Sequence, residues 1–157
     1  NLIGNAVQEF MEHPGELARL RGDISLLPSA IEEVLRHSSP VQATVRRSTR
    51  DQEFAGRQFK QDQQALIFLA AANRDGRVFE DPERFDIGRA QNRHLGFGMG
   101  IHFCLGAPLA RLEAKAALDV FLARTKSFAR SDDRELRRVP TFIMRGVREL
   151  PLAVQWA

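Results

Sequence analysis

Phe97-Gly98-Met99-Gly100-Ile101-His102-Phe103-Cys104-Leu105-Gly106 is the stretch on which the fold and the chemistry of this chain turn. Glycines at the alternate positions 96, 98 and 100 let the backbone approach a flat partner closely and take up positive φ. Cys104 follows at the mouth of an Ala- and Leu-rich helix read over Leu105 to Phe121. The leading N–H groups and dipole of such a helix favour a thiolate, and Gly106 leaves the sulfur open to them.

A thiolate on a glycine-lined loop is what axial ligation of a haem iron requires. Three other readings compete. The glycines superficially resemble a phosphate-binding G-x-G-x-x-G, but Phe103 stands where its third glycine belongs and no clean strand precedes it. His102 and Cys104 suggest zinc, yet one Cys and four dispersed His make a poor tetrahedral set. A buried, inert thiol is the usual state of a lone Cys. The coincidence of Phe97, the alternate glycines, His102 and Leu105-Gly106 around Cys104 favours the haem reading over all three.

Composition bounds the rest. The 157 residues suit one domain, and 43% hydrophobic with 27% charged residues describes a globular protein rather than a disordered chain. No apolar run approaches the roughly 18 residues of a bilayer span, so no membrane association is expected. The net charge is only +3, while the pI is near 9.7, because the chain lacks Tyr and all but three of its 23 cations are Arg. Those Arg are scattered, which argues against nucleic acid as a partner. A single Cys excludes an internal disulfide framework and fits a reducing compartment, the cytoplasm. The chain opens at Asn1-Leu2-Ile3 already inside an apolar-periodic stretch, and is expected to be a piece of something longer.

Periodicity predicts the elements. Leu2, Ile3, Ala6, Val7 and Phe10 mark a first helix broken at His13-Pro14, and its stripe Leu2, Ile3, Val7 and Phe10 is expected to be left partly uncovered. A second helix runs from Pro14 to near Gly22, and a third opens at Pro28 and ends at Ser38-Ser39-Pro40. Val41 to Lys60 reads as a hairpin turning around Asp51 to Gly56, and Ala65 to Ala72 as strand passing into a short helix. Asn73 to Gly100 shows little periodicity, which inside a compact domain usually marks function. Leu109, Leu112, Ala116 and Val120 are expected to form the apolar face of the helix after Cys104, and Val139 to Trp156 a terminal hairpin.

Phe97 to Gly106 resembles the FGxGxHxCxG haem-binding signature of the cytochrome P-450 superfamily in its soluble bacterial form. Glu33-Val34-Leu35-Arg36 is similar to that family's E-x-x-R, Ala71-Ala72-Asn73-Arg74-Asp75 to its A-N-R-D, and Pro82-Glu83-Arg84-Phe85 to its P-E-R-F, in the family's order. The resemblance covers essentially all of residues 1–157 and corresponds to the C-terminal two-fifths or so of a family member. It implies a mainly α fold with small β-sheets (α+β), these residues being the C-terminal haem-binding part of one domain whose N-terminal part is missing.

The resemblance also implies site residues. Cys104 becomes the axial ligand of haem b, with Phe97, Gly98 and Gly106 beside it and Arg46 and His102 as propionate partners. Glu33, Arg36 and Arg84 become a buried network bracing the Cys loop, with Arg89 a weaker candidate for its third member. Val41, Gln42, Ile143 and Met144 fall where the family lines its substrate pocket. The implied reaction is haem-thiolate monooxygenation, the insertion of one oxygen atom from O2 into a small hydrophobic organic substrate. Electrons are expected from NAD(P)H through a ferredoxin or flavodoxin and its reductase, and Arg93, Arg111 and Lys115 are positioned to meet an acidic partner. Two alternatives stand beside it: a non-catalytic truncated fragment that binds no haem productively, and a thiol redox sensor, for which the chain supplies no resolving Cys.

Overall fold

His13 and Pro14 divide the N-terminal apolar stretch into α1 (Leu2–Glu12) and α2 (Pro14–Gly22) in the computed structural model, which describes residues 1–157. Pro14 occupies the first turn of α2, where a missing N–H costs no intrahelical bond. A 3-10 turn, Ile24–Leu26, is capped by the Asp23 carboxylate, which accepts from the Ser25 N–H at 3.0 Å. It leads into α3 (Leu27–His37). The helix that follows Cys104, called α5 below, runs from Ala107 to Arg124.

These helices enclose the core. Phe10 of α1, Leu20 of α2, Leu35 of α3 and Leu118 of α5 are essentially fully buried, each contributing roughly 1.5–3 kcal/mol relative to exposure. Phe85, Ile87 and Phe128 complete the same cluster. The α1 stripe is therefore better covered than its sequence suggests: Val7 and Phe10 face the core and Ile3 alone of the four is exposed. No helix is long and apolar enough to cross a membrane.

The sheets are three antiparallel ribbons, and two of them depart from the sequence expectation. Within Val41–Lys60 the hairpin is only β2 (Gln52–Phe54) against β3 (Arg57–Phe59). Its two-residue turn places Ala55 and Gly56 at φ 53° and 71°, the left-handed pair that matches strand twist. β1 (Ala43–Arg47) pairs instead with β4 (Gln64–Phe68), with Val45 opposite Leu66 and Arg46 opposite Ala65. β4 passes directly into the short helix α4 (Leu69–Ala72), as expected. Likewise β6 (Leu152–Trp156) pairs with β5 (Thr125–Arg130), not within a terminal hairpin. Residues 138–147 do fold back on themselves, but through a single bridge, Arg138 to Val147.

The face assigned to α5 is also corrected. Ala107, Ala114, Leu118 and Leu122 are buried, whereas Leu109, Leu112, Ala116 and Val120 are exposed. The helix is apolar around most of its circumference, so periodicity marks two candidate faces and packing against α1 and α3 selects one.

Candidate functional site

Glu33 and Arg36, three residues apart on α3, both have side chains with 0% exposure. The Arg36 Nε and Nη2 donate to the two carboxylate oxygens at 2.9 and 2.8 Å, a bidentate pair. Arg36 spends its other N–H groups on the Asn73, Pro82 and Arg84 carbonyls at 3.0, 2.7 and 2.8 Å, so all five donors are used. Glu33 also accepts from the Asp86 N–H at 2.9 Å and the Asn92 side-chain amide at 3.1 Å. These bonds organise the segment between Asn73 and Gly100, which has almost no regular structure of its own. Its backbone groups find partners on a buried ion pair rather than on a neighbouring strand.

The third member of this network is Arg89. Its Nε lies 3.3 Å from both Glu33 oxygens, and its remaining N–H groups reach the Glu80, Asp81 and Arg84 carbonyls. Arg84, expected in that place, contributes only its carbonyl; its side chain is 63% exposed and turned toward Asp86 at 3.9 Å. An irregular segment has no periodicity from which to read which Arg turns inward. Asn73 and Asn92 were not singled out as site residues. Asn73 is fully buried, donates to Ser39 Oγ at 2.8 Å and accepts the Leu95 N–H at 2.7 Å, so it hangs the approach to the Cys loop on α3.

The loop itself follows. Gly98 and Gly100 have φ of 73° and 72°, the left-handed values that favour glycine. At Gly96 the need is space: a Cβ there would lie 2.9 Å from the Leu35 carbonyl oxygen. The Cys104 N–H donates to the Phe97 carbonyl at 2.9 Å, and the Cys104 carbonyl accepts the first N–H of α5, that of Ala107, at 3.2 Å. Cys104 is a free, exposed thiol, which sets aside the reading of a buried inert Cys. Around it Ile101 and Leu105 are 98% and 97% exposed, and Phe103 and Met99 are exposed as well. A Cβ at Gly106 would stand 3.9 Å from the sulfur, so the glycine keeps that side of it clear. A bare soft donor on an apolar surface fits a large flat apolar group bound through a metal.

His102 is exposed on a 3-10 turn two residues before Cys104, and it makes no ion pair. Arg46 is exposed on β1; its guanidinium reaches only the Val45 carbonyl and Thr44 Oγ1, so no carboxylate neutralises it. The structure brings Val41, Gln42, Ile143 and Met144 together: Val41 bridges Met144, and the Gln42 N–H donates to the Ile143 carbonyl at 2.7 Å. Of the three cations expected to meet an acidic partner, only Arg93 is unpaired. Arg111 is bidentate to Glu32, and Lys115 lies 3.9 Å from Asp119.

Glu32 and His94, neither read from sequence, form a second cluster with Arg111. Arg111 Nε and Nη2 donate to Glu32 at 2.7 and 2.8 Å, and His94 Nε2 lies 3.0 Å from the same carboxylate. Burial pushes the Glu32 carboxyl up, but the Arg111 and His94 hydrogen bonds together outweigh it and bring the pKa down to about 2.

The chain resembles known proteins over almost its whole length. The family model described as Cytochrome P450 matches residues 15–149. The Biotin biosynthesis cytochrome P450 of Bacillus subtilis is 43% identical over 155 residues, covering 99% of this chain and 39% of that protein. Cytochrome P450 107B1 of Saccharopolyspora erythraea is 47% identical over 155 residues, covering 97% and 38%. Among solved structures, P450BioI in complex with hexadec-9Z-enoic acid-ligated acyl carrier protein superposes with a TM-score of 0.93 at 42% identity, covering 99% of this chain and 40% of that one. The chain thus spans about two-fifths of the length of the curated relatives it matches.

Proposed function

Because the chain belongs to the cytochrome P450 family, we propose that residues 1–157 are the C-terminal haem-binding portion of a single-domain haem-thiolate monooxygenase. The observation that carries this reading is the exposed Cys104 thiol on a loop shaped by Gly98 and Gly100 and set against a bare apolar surface. Bound haem b supplies the redox chemistry by which O2 is activated and one oxygen atom is inserted into a small organic substrate.

The chain's own residues do the holding and shaping. Cys104 Sγ would hold the haem iron, a soft sulfur donor suited to that metal. Phe97, Gly98 and Gly106 would shape the surface that receives the haem. Arg46 and His102 are the donors for its carboxylate arms, a role supported by their exposure and lack of carboxylate partners. Val41, Gln42, Ile143 and Met144 line the substrate side, a reading supported by their meeting across one bridge. Glu33, Arg36 and Arg89 hold the Cys loop from behind, and a fully satisfied ion network of this kind fixes position more than it adds net stability. Electrons reach the site from NAD(P)H through a separate ferredoxin or flavodoxin and its reductase, with Arg93 available to an acidic surface.

The second reading, a truncated piece that holds haem unproductively, is favoured by the exposed apolar row Leu109, Leu112 and Val120 on α5. The reduced, CO-treated spectrum of the full-length protein tests the main reading. A thiolate-type Soret band supports it, and the absence of that band with haem present overturns it.

A further inference from the structure

Glu32 and Glu33 are adjacent on α3, yet their carboxylates serve opposite limbs of the Cys loop. Glu33 holds the irregular segment through Arg36, Arg89 and Asn92. Glu32 holds Arg111 on α5 and His94 at the loop's entrance. Residues 94 and 111 bracket Cys104, so a single carboxylate ties together the two ends of the loop that presents the sulfur.

Two routes lead from Glu32 to Cys104. In the first, the Gly96 N–H donates to His94 Nδ1 at 3.0 Å, so that nitrogen carries no proton. The ring is thereby fixed as the tautomer whose Nε2–H donates to Glu32, at 3.0 Å. In the second, the Arg111 guanidinium, held flat by its two bonds to Glu32, lies over the Phe97 ring at 4.7 Å. Phe97 in turn accepts the Cys104 N–H.

We propose that Glu32, His94 and Arg111 are positioning residues that clamp the Cys104 loop in its ligating shape, Glu32 acting through His94 on Gly96 and through Arg111 on Phe97. The proposal rests on the haem-thiolate reading for its consequence but not for its geometry. A flat, forked cation is essential to it, because one group must hold two carboxylate oxygens and cover a ring at once. Lys at 111 keeps the charge and loses both functions.

Amide hydrogen exchange on the full-length protein tests the clamp by a readout that does not depend on haem spectroscopy. Glu32→Gln and Arg111→Lys are each expected to speed exchange at Gly96, Gly98 and Cys104 by about tenfold or more, as local opening does, while Phe128 and Val154 in the β5–β6 ribbon change less than about twofold. Equal acceleration at all five positions would reduce the cluster to general stabilisation and overturn the proposal, as would no acceleration at the loop. Wild-type exchange in Arg111→Lys beside acceleration in Glu32→Gln would leave charge alone as the cause and overturn the forked-clamp account. In the full-length haem protein, both variants are expected to convert part of the ferrous CO complex to the form that has lost the thiolate. Wild-type protein without a thiolate-type spectrum would defeat the haem reading while the exchange pattern still decided the clamp.

Discussion

Glu33 and Arg36 form a bidentate ion pair at 2.8 and 2.9 Å with both side chains at 0% exposure, and every remaining N–H of Arg36 is spent on the segment that leads to the Cys loop. Removing one partner strands the other charge in the interior. Glu33→Ala is therefore expected to cost about 3–5 kcal/mol in urea unfolding. Arg89→Ala should also destabilise clearly, because its side chain is only 11% exposed and bonded to Glu33. Arg84→Ala should stay within about 0.5 kcal/mol, as for an exposed side chain. A larger loss for Arg84 than for Arg89 would contradict the assignment of the third member.

Gly96 is held against α3. A methyl group at this position would meet the Leu35 carbonyl oxygen at 2.9 Å, and that backbone atom belongs to a helix and cannot swing away. Gly96→Ala is expected to destabilise by about 1–3 kcal/mol, read as a lowered thermal midpoint. An unchanged midpoint would show that the loop has room to shift.

Acid should weaken the fold in a defined window. The Glu32 pKa falls from 4.5 to about 2: burial acts against ionisation, and the Arg111 and His94 bonds together more than offset it. Glu9 is lowered in the same way, with burial opposed by the His37 imidazole at 3.0 Å. A carboxylate depressed on folding contributes stability above its unfolded pKa and loses it as pH falls through its folded value. The stability difference between wild type and Glu32→Gln should accordingly be full above pH 4.5 and shrink as the pH approaches about 2. A difference independent of pH across that window would mean that the charge of Glu32 contributes nothing.

The 157-residue chain alone is expected to take up haem weakly and to show no substrate-dependent NAD(P)H consumption. Ile101 and Leu105 on the Cys loop and Leu109, Leu112 and Val120 along α5 all lie exposed, and apolar area of this kind promotes association. Hemin titration followed by reductant and CO checks this. Stoichiometric thiolate ligation together with turnover would show that these residues suffice.

The Cys loop and the Glu33–Arg36 interval are legible in the sequence because each is local, while the burial of that pair follows only from the family resemblance. Glycine spacing, a Cys before a helix and a three-residue ion-pair interval all fall within a few residues of chain. The rest was set by distance along the chain. β1 meets β4 and β5 meets β6 across intervening segments, and strand texture alone names no partner. The buried face of α5 differs from the expected one because an apolar row at 109, 112, 116 and 120 is as regular as the one that packs. Arg89, Asn73, Glu32 and His94 act from an irregular segment or across tens of residues, where no period points to them. Glu32 carries no such three-residue interval, and it stands beside Glu33, whose spacing to Arg36 is one.

Cys104 is the residue on which the proposed haem-thiolate chemistry depends. Cys104→Ser in the full-length protein replaces a soft sulfur donor with a hydroxyl that is a poor anionic donor at neutral pH. The reduced, CO-treated spectrum of this variant is expected to lose the thiolate-type Soret band, and oxygen insertion with it. Retention of that band by the variant would contradict the assignment outright.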